Sequence, residues 1–233
     1  KRNDLIDFTD ISQADGYTDW TIAGLVAGNC GLPLVDHSFY YNYKCFTDLL
    51  SQKNYNLMSI QGTSPRYSGN GNFYKIHGVK NIIGANEIKS FYPEKDLEIS
   101  HWGVHDDVLF DYALIQIKNY ENEDSPYAVW INTIDIHPPN GLLSSKCEKI
   151  SKNIPSRMLK VVYCSDIYLN NFINQIIEQD KKKNNLIIVH SDHLLMDSTV
   201  TRNYFKNKKE RKNLFLIIDP YKIKQKKKIN TQG

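Results

Sequence analysis

The 233-residue sequence has no run of about 18 apolar residues, so no segment reads as a membrane-spanning helix. It has no internal repeat and no Gly/Ser/Pro-rich linker, and residues 1–233 are expected to form one domain. Cysteine is scarce. The four present, Cys30, Cys45, Cys147 and Cys164, include no Cys-x-x-Cys pair, which argues against zinc-knuckle and thioredoxin-type sites. A strong charge of either sign is missing as well: the formal net charge of +3 is too small to argue for a nucleic-acid partner. No secretory leader is visible and the first residue is Lys1, so the expectation is an excised or N-terminally truncated domain.

What is present suits an α/β enzyme. At 41% hydrophobic residues the chain can bury a real core. Basic residues crowd the C-terminal end, at 206–212 and 222–228, and residues 219–233 read as a basic tail. Such a run is either a solvated face or a surface for anionic lipid, where each clustered lysine contributes about 1 kcal/mol. The cysteines fall into two sequence-local couples, Cys30 with Cys45 and Cys147 with Cys164. Free core thiols and disulfides both fit, and four cysteines permit three connectivities. If the couples are joined, each closure contributes about 3 kcal/mol.

Residues 1–20 are acidic strand-and-loop. Thr21 to about Cys30 is small and apolar, a short buried helix stopped by Gly31 and Pro33. Helical spacing recurs at Cys45–Lys53, with Phe46, Leu49 and Leu50 on one face, at Trp102–Lys118 with Asp106 and Asp107 near its start, and at Arg157–Gln179. Residues 62–78, rich in Gly, Ser and Asn, read as a long polar loop. Strands are expected at Asn56–Gln61, Tyr127–Ile134, Leu186–His190 and Leu214–Ile218, the last three as buried apolar runs. Strands alternating with helices give a doubly wound, largely parallel sheet flanked by helices. Ligands gather at the carboxyl ends of such strands. His137, Asp192 and His193 all lie just beyond such ends.

Asp192 and His193, a carboxylate beside an imidazole, suit a divalent ion; the plain alternative is a capped turn. Thr21 at a helix start is either a cap or a hydroxyl nucleophile, and the helix N-terminus also suits phosphate oxygens. His137 is either a donor to a phosphate or leaving oxygen, or a loop histidine held by two prolines. The 69–72 segment is either a phosphate-approaching backbone or a plain flexible loop.

The segments TIAGLVAGNCGLPL, CFTDLL, QGTSPRYSGNGNFYKIHG, WGVHDDVLFDYA, TIDIHPPNG and VHSDHLLM occur in this order between Phe8 and Ile218. The chain thereby resembles the phosphoglycerol transferase I family of the sulfatase/alkaline-phosphatase superfamily, related to lipoteichoic acid synthases and phosphoethanolamine transferases. The resemblance implies that Thr21 is nucleophile and metal ligand, that Asp192 and His193 are metal ligands, and that His137 contacts the substrate phosphate. Arg66 and Asn72 are further candidates for binding substrate. It implies two disulfides, Cys30–Cys45 and Cys147–Cys164. The implied metal is divalent, Mn²⁺ first, with Zn²⁺ or Mg²⁺ as alternatives. The implied reaction moves phosphoglycerol from a membrane phospholipid to a glycan at the periplasmic face of the bacterial inner membrane.

The chain also departs from the family. The first acidic metal ligand of the superfamily follows an opening strand, and none of Asp4, Asp7 and Asp10 follows an apolar one, so the domain is expected to lack its first strand. Leu194-Leu195-Met196 after the Asp-His pair favours the phosphoglycerol branch over the phosphoethanolamine branch. The alternatives are another hydrolase of the superfamily or an inactive remnant.

Overall fold

The computed structural model describes residues 5–7, 20–34, 42–93, 96–196, 201–202 and 212–221. The segments expected as basic at 206–211 and 222–233, and the side chains of Asp4, Asp7, Asp10 and His37, lie outside the described residues.

The centre is β2 (Asn56–Gln61), which pairs in parallel with β3 (Asn81–Ile83) on one side and β4 (Tyr127–Asn132) on the other. Successive strand side chains point to opposite faces, and both faces of this sheet are covered. Met58, Ile60, Ile83, Val129 and Ile131 pack with α5 (Asp106–Glu121) and α7 (Arg157–Gln179). Leu57, Ile82, Ala128 and Trp130 pack with α1 (Thr21–Cys30) and α3 (Asn70–Ile76). The alternation along three strands therefore builds a helix–sheet–helix sandwich. In α7 the buried Met158, Val161, Cys164, Tyr168, Phe172 and Ile176 recur at three- and four-residue spacing, as a core-facing stripe requires.

A second sheet has the order β1 (Leu5–Asp7), β6 (Phe215–Ile218), β5 (Ile187–His190), and its pairs are antiparallel. The α/β class holds, with an antiparallel component beside the parallel sheet. The remaining helices are α2 (Phe46–Gln52), α4 (Ala85–Phe91) and α6 (Ser145–Ile150). Disulfides join Cys30 to Cys45, tying the end of α1 to the N-cap of α2, and Cys147 to Cys164, tying α6 to α7.

Several local expectations are corrected. Residues 62–78 are not one long loop: α3 occupies their second half, with Phe73 and Tyr74 buried. Its polar residues hid an apolar face, and Gly71 sits tightly on Pro65, where an added Cβ would lie 2.7 Å from the proline Cβ. The α2 face carrying Phe46 and Leu49 points outward, since both are exposed. Strands β4 and β5 are not fully buried: β4 is half-buried throughout, and Ile188 of β5 is exposed beside Leu186. An apolar run does not reveal how many layers cover it.

Helix α5 begins only at Asp106, because His105 and Asp106 are drawn inward. His105 Nδ1 lies 2.8 Å from Asp135 Oδ1. Asp106 Oδ1 accepts the backbone N–H groups of Ile134 and Asp135, at 2.8 and 3.2 Å. Its carboxylate is thus spent on the exit of β4 and does not simply decorate the helix start.

Candidate active site

Helix α1 is entered from extended backbone at Trp20, which occupies the N-cap position without any side-chain capping bond. Thr21 is the first helical residue, so the reading of Thr21 as the cap gives way to a hydroxyl placed at the mouth of the helix.

Two glycines one turn apart let β5 and the following turn lie against this helix. A Cβ at Gly24 would meet the Asp192 carbonyl oxygen at 2.0 Å, and one at Gly28 would lie 3.4 Å from His190 Cε1. At Gly24 only a missing side chain allows that approach, whereas the Gly28 contact is an ordinary one; the Asp192–His193 turn is thereby held over the first turns of α1.

Within the turn, Asp192 Oδ1 accepts the His193 backbone N–H at 2.9 Å. His193 Nδ1 lies 2.7 Å from the Leu194 carbonyl oxygen, an arrangement that makes Nδ1 the protonated nitrogen and leaves Nε2 as the acceptor. That Nε2 is 3.5 Å from Asp192 Oδ2. An imidazole oriented by a backbone carbonyl, beside a carboxylate, is the donor chemistry of a divalent ion, and Asp192 with His193 fits that chemistry.

His137 follows β4 in a loop anchored at both ends. Its N–H donates to Ile134 and its carbonyl accepts from Gly141, each at 3.0 Å. The Pro138–Pro139 bond is cis. His137 Nδ1 lies 2.8 Å from the Pro138 carbonyl oxygen, which leaves Nε2 as the ring nitrogen for other partners. The ring packs on Trp102 at 4.2 Å between centroids, and Trp102 meets Tyr67 edge-on at 5.0 Å.

Thr21, His137 and His193 line one open pocket, together with Trp20, Tyr67, Ser68, Pro138 and Met196. Burial, and then the negative charge of Asp192, raise the Tyr67 hydroxyl above its ordinary pKa. Ser68 adopts φ 52°, a conformation uncommon outside glycine and concentrated at functional loops. Arg66 and Asn72 are exposed and do not line the pocket; their neighbours Tyr67 and Ser68 do. Trp20, Tyr67, Ser68 and Trp102 were absent from the sequence candidates. The interleaved aromatics around the 62–78 segment were the signal available for Tyr67.

Among the described residues, the one group of three cysteine, histidine or acidic side chains close enough to share an ion is Cys30, Cys45 and His77, whose donor atoms lie within 4.8 Å of one another. Its two sulfurs are joined to each other and offer no thiolate. The pocket that Thr21 lines is also lined by the imidazoles of His137 and His193.

The sulfatase family profile matches residues 16–232. Phosphoglycerol transferase I of Shigella flexneri is 32% identical over 238 residues, covering 97% of this chain and 31% of its own length. The chain thus spans about a third of the length of the curated relatives it matches. Among solved structures, the lipoteichoic acid synthase LtaP from Listeria monocytogenes matches with a TM-score of 0.71 at 12% identity, over 94% of this chain and 58% of that one. The C-terminal periplasmic domain of EcEptC from Escherichia coli, solved in complex with Zn, matches with a TM-score of 0.60 at 13% identity, over 93% and 62%. At those identities the structural matches speak for the fold, and the fold agrees with the family.

Proposed function

The chain belongs to the sulfatase family, and on that footing we propose that it is the catalytic domain of a metal-dependent phosphotransferase of the phosphoglycerol transferase type. The observation that carries the reading is the convergence of Thr21, His137 and His193 on one pocket, with the Asp192 turn seated on the nucleophile helix. The 32% identity to a phosphoglycerol transferase I supports the choice of transferred group.

Thr21 Oγ gives up its proton to His137 and attacks the phosphorus of a phospholipid headgroup, phosphatidylglycerol first. The Oγ–P bond forms as the bond from phosphorus to the diacylglycerol oxygen breaks, and that oxygen takes the proton from His137 as diacylglycerol leaves. A glycan hydroxyl then gives its proton to His137 and attacks the same phosphorus, the Thr21–phosphorus bond breaks, the proton returns to Thr21 Oγ, and phosphoglycerol passes to the glycan. Asp192, His193 and Thr21 would hold a divalent ion. Such an ion neutralises phosphoryl oxygens and lowers the pKa of a bound hydroxyl; Mn²⁺ is our first choice, with Zn²⁺ or Mg²⁺ as alternatives. His137 lines the pocket and would act through Nε2, as donor to a phosphate oxygen when protonated and as proton acceptor when neutral. Backbone N–H groups at the start of α1 add donors for the phosphate. With a lipid donor and a glycan acceptor the domain works at the membrane surface, on the periplasmic side. No helix of the described residues is long and apolar enough to cross a membrane.

The test is donor turnover. Phosphatidylglycerol in mixed micelles, given Mn²⁺ and an oligosaccharide acceptor, is expected to release diacylglycerol in step with acceptor phosphoglycerylation. Diacylglycerol release from phosphatidylethanolamine alone would move the assignment to the phosphoethanolamine branch, and release from neither would overturn it. A binding module without turnover is the second reading, favoured by the lack, among the described residues, of a group of three cysteine, histidine or acidic donors drawn together at this pocket.

A further inference from the structure

Away from the pocket, four side chains meet at the far end of the same helix. Cys30 closes α1, Cys45 is the N-cap of α2, and the two are joined. His77 Nε2 lies 3.5 Å from Cys45 Sγ, and His77 Nδ1 lies 2.9 Å from Asp48 Oδ2. The same Asp48 oxygen accepts the Cys45 backbone N–H at 2.8 Å. Cys45 and His77 are buried, whereas Cys30 is half-buried and followed by the exposed Leu32. Sulfur, imidazole and carboxylate thus stand in line, with Asp48 orienting the ring through Nδ1 and Nε2 within reach of the sulfur.

Carbonyl oxygens lie near sulfurs of both disulfides, Cys45 Sγ being 3.9 Å from that of Tyr43, but among the described residues the contacts of the second disulfide include no imidazole. Cys147 Sγ lies 3.5 Å from the Lys160 carbonyl oxygen, and Cys164 Sγ lies 3.6 Å from the Cys147 carbonyl oxygen. Carbonyl oxygens carry partial negative charge and oppose a thiolate. Both sulfurs belong to buried residues.

We propose that Cys30–Cys45 is a thiol–disulfide exchange site for an external dithiol, with Cys45 as leaving group on the His77–Asp48 pair, and that Cys147–Cys164 is the structural bridge. One thiolate of the dithiol attacks Cys30 Sγ, the sulfur of the half-buried residue. The sulfur–sulfur bond breaks, its electron pair goes to Cys45 Sγ, and that sulfur is held as thiolate by His77 or takes the Nε2 proton. The second thiol of the dithiol, as thiolate, displaces Cys30 Sγ. The dithiol becomes a disulfide, and two electrons and two protons end on Cys30 and Cys45. A leaving thiol of lower pKa leaves faster, which sets the order of opening. The bond that opens is the one tying α1, with Thr21 at its other end, to α2. The proposal is independent of the transfer reaction.

The experiment is timed reduction of the native chain by limiting dithiothreitol, with alkylation and peptide mass mapping at each time. Label is expected on Cys30 and Cys45 before Cys147 and Cys164. His77→Gln is expected to slow opening of Cys30–Cys45 by about tenfold while leaving the opening rate of Cys147–Cys164 unchanged. Asp48→Asn, which keeps an oxygen for the Cys45 N–H, is expected to slow it by a smaller factor. Circular dichroism checks that each variant is folded. If one variant does not fold the other decides, and if neither folds the wild-type order decides. Simultaneous opening of both bridges, earlier opening of Cys147–Cys164, or an unchanged Cys30–Cys45 rate in the folded variants would overturn the proposal.

Discussion

The Asp192 carbonyl oxygen occupies the space where a Cβ of residue 24 would be, 2.0 Å from that ideal position. Gly24 is therefore the contact through which helix α1 fixes the height of the Asp192–His193 turn above Thr21. Gly24→Ala must push the turn and helix apart. Displacements near 1 Å at a reacting centre cost about 100-fold in rate, and overpacking costs about 1–3 kcal/mol. The expected outcome is a folded protein with a transfer rate lowered by about two orders of magnitude and a modest loss in thermal unfolding. Near-wild-type transfer would show that the turn does not depend on this contact.

Metal binding is checked without turnover. At about 100-fold excess over its dissociation constant a divalent ion adds ~2.7 kcal/mol of stability, which for a chain of this size raises the melting temperature by about 5 °C or more. That rise is expected with Mn²⁺ or Zn²⁺ in the wild type and should be absent in His193→Ala and much reduced in Asp192→Asn. No rise in the wild type would favour the module without turnover.

Trp102 holds His137 by ring contact at 4.2 Å. Aromatic pairs contribute about 0.5–1.5 kcal/mol beyond their buried area. Trp102→Ala is accordingly expected to lower kcat/KM by about 2- to 10-fold. Steady-state kinetics separates this from a collapse of the site, which would remove all activity.

The Asp106 carboxyl, fully enclosed, is raised from its ordinary 3.8 to about 7, by burial first and then by the charge of Asp135. The native state keeps a proton that the unfolded chain has already released. Between about pH 4 and pH 7 the native state binds more protons, and stability falls as pH rises. Asn at this position still accepts from the Ile134 and Asp135 amides and has nothing to ionise. Asp106→Asn is therefore expected to show a flatter decline over that window in chemical denaturation. An equal slope in both proteins would contradict the assignment.

The layers of the fold were legible because periodicity is local: the α7 stripe and the β2 core need only their own residues to declare themselves. The burial of β5 was not, because an apolar strand reads the same whether one face or two are covered, and Ile188 faces out. Thr21, His137 and His193 could be named from their position beside secondary-structure ends. Tyr67, Trp102 and Ser68 could not, since their place depends on how α3 folds back and on a positive φ at Ser68. The buried His77 and His105 carry no sequence spacing that singles them out. Their partners, Asp48 and Asp135, lie 29 and 30 residues away in sequence.

The central claim, that Thr21 is the attacking group, is tested most directly by diacylglycerol release from phosphatidylglycerol by Thr21→Ala, beside wild type at the same Mn²⁺ concentration. The expected result is a folded variant with no release above the uncatalysed background, while wild type turns over. Release by Thr21→Ala at the wild-type rate would contradict it.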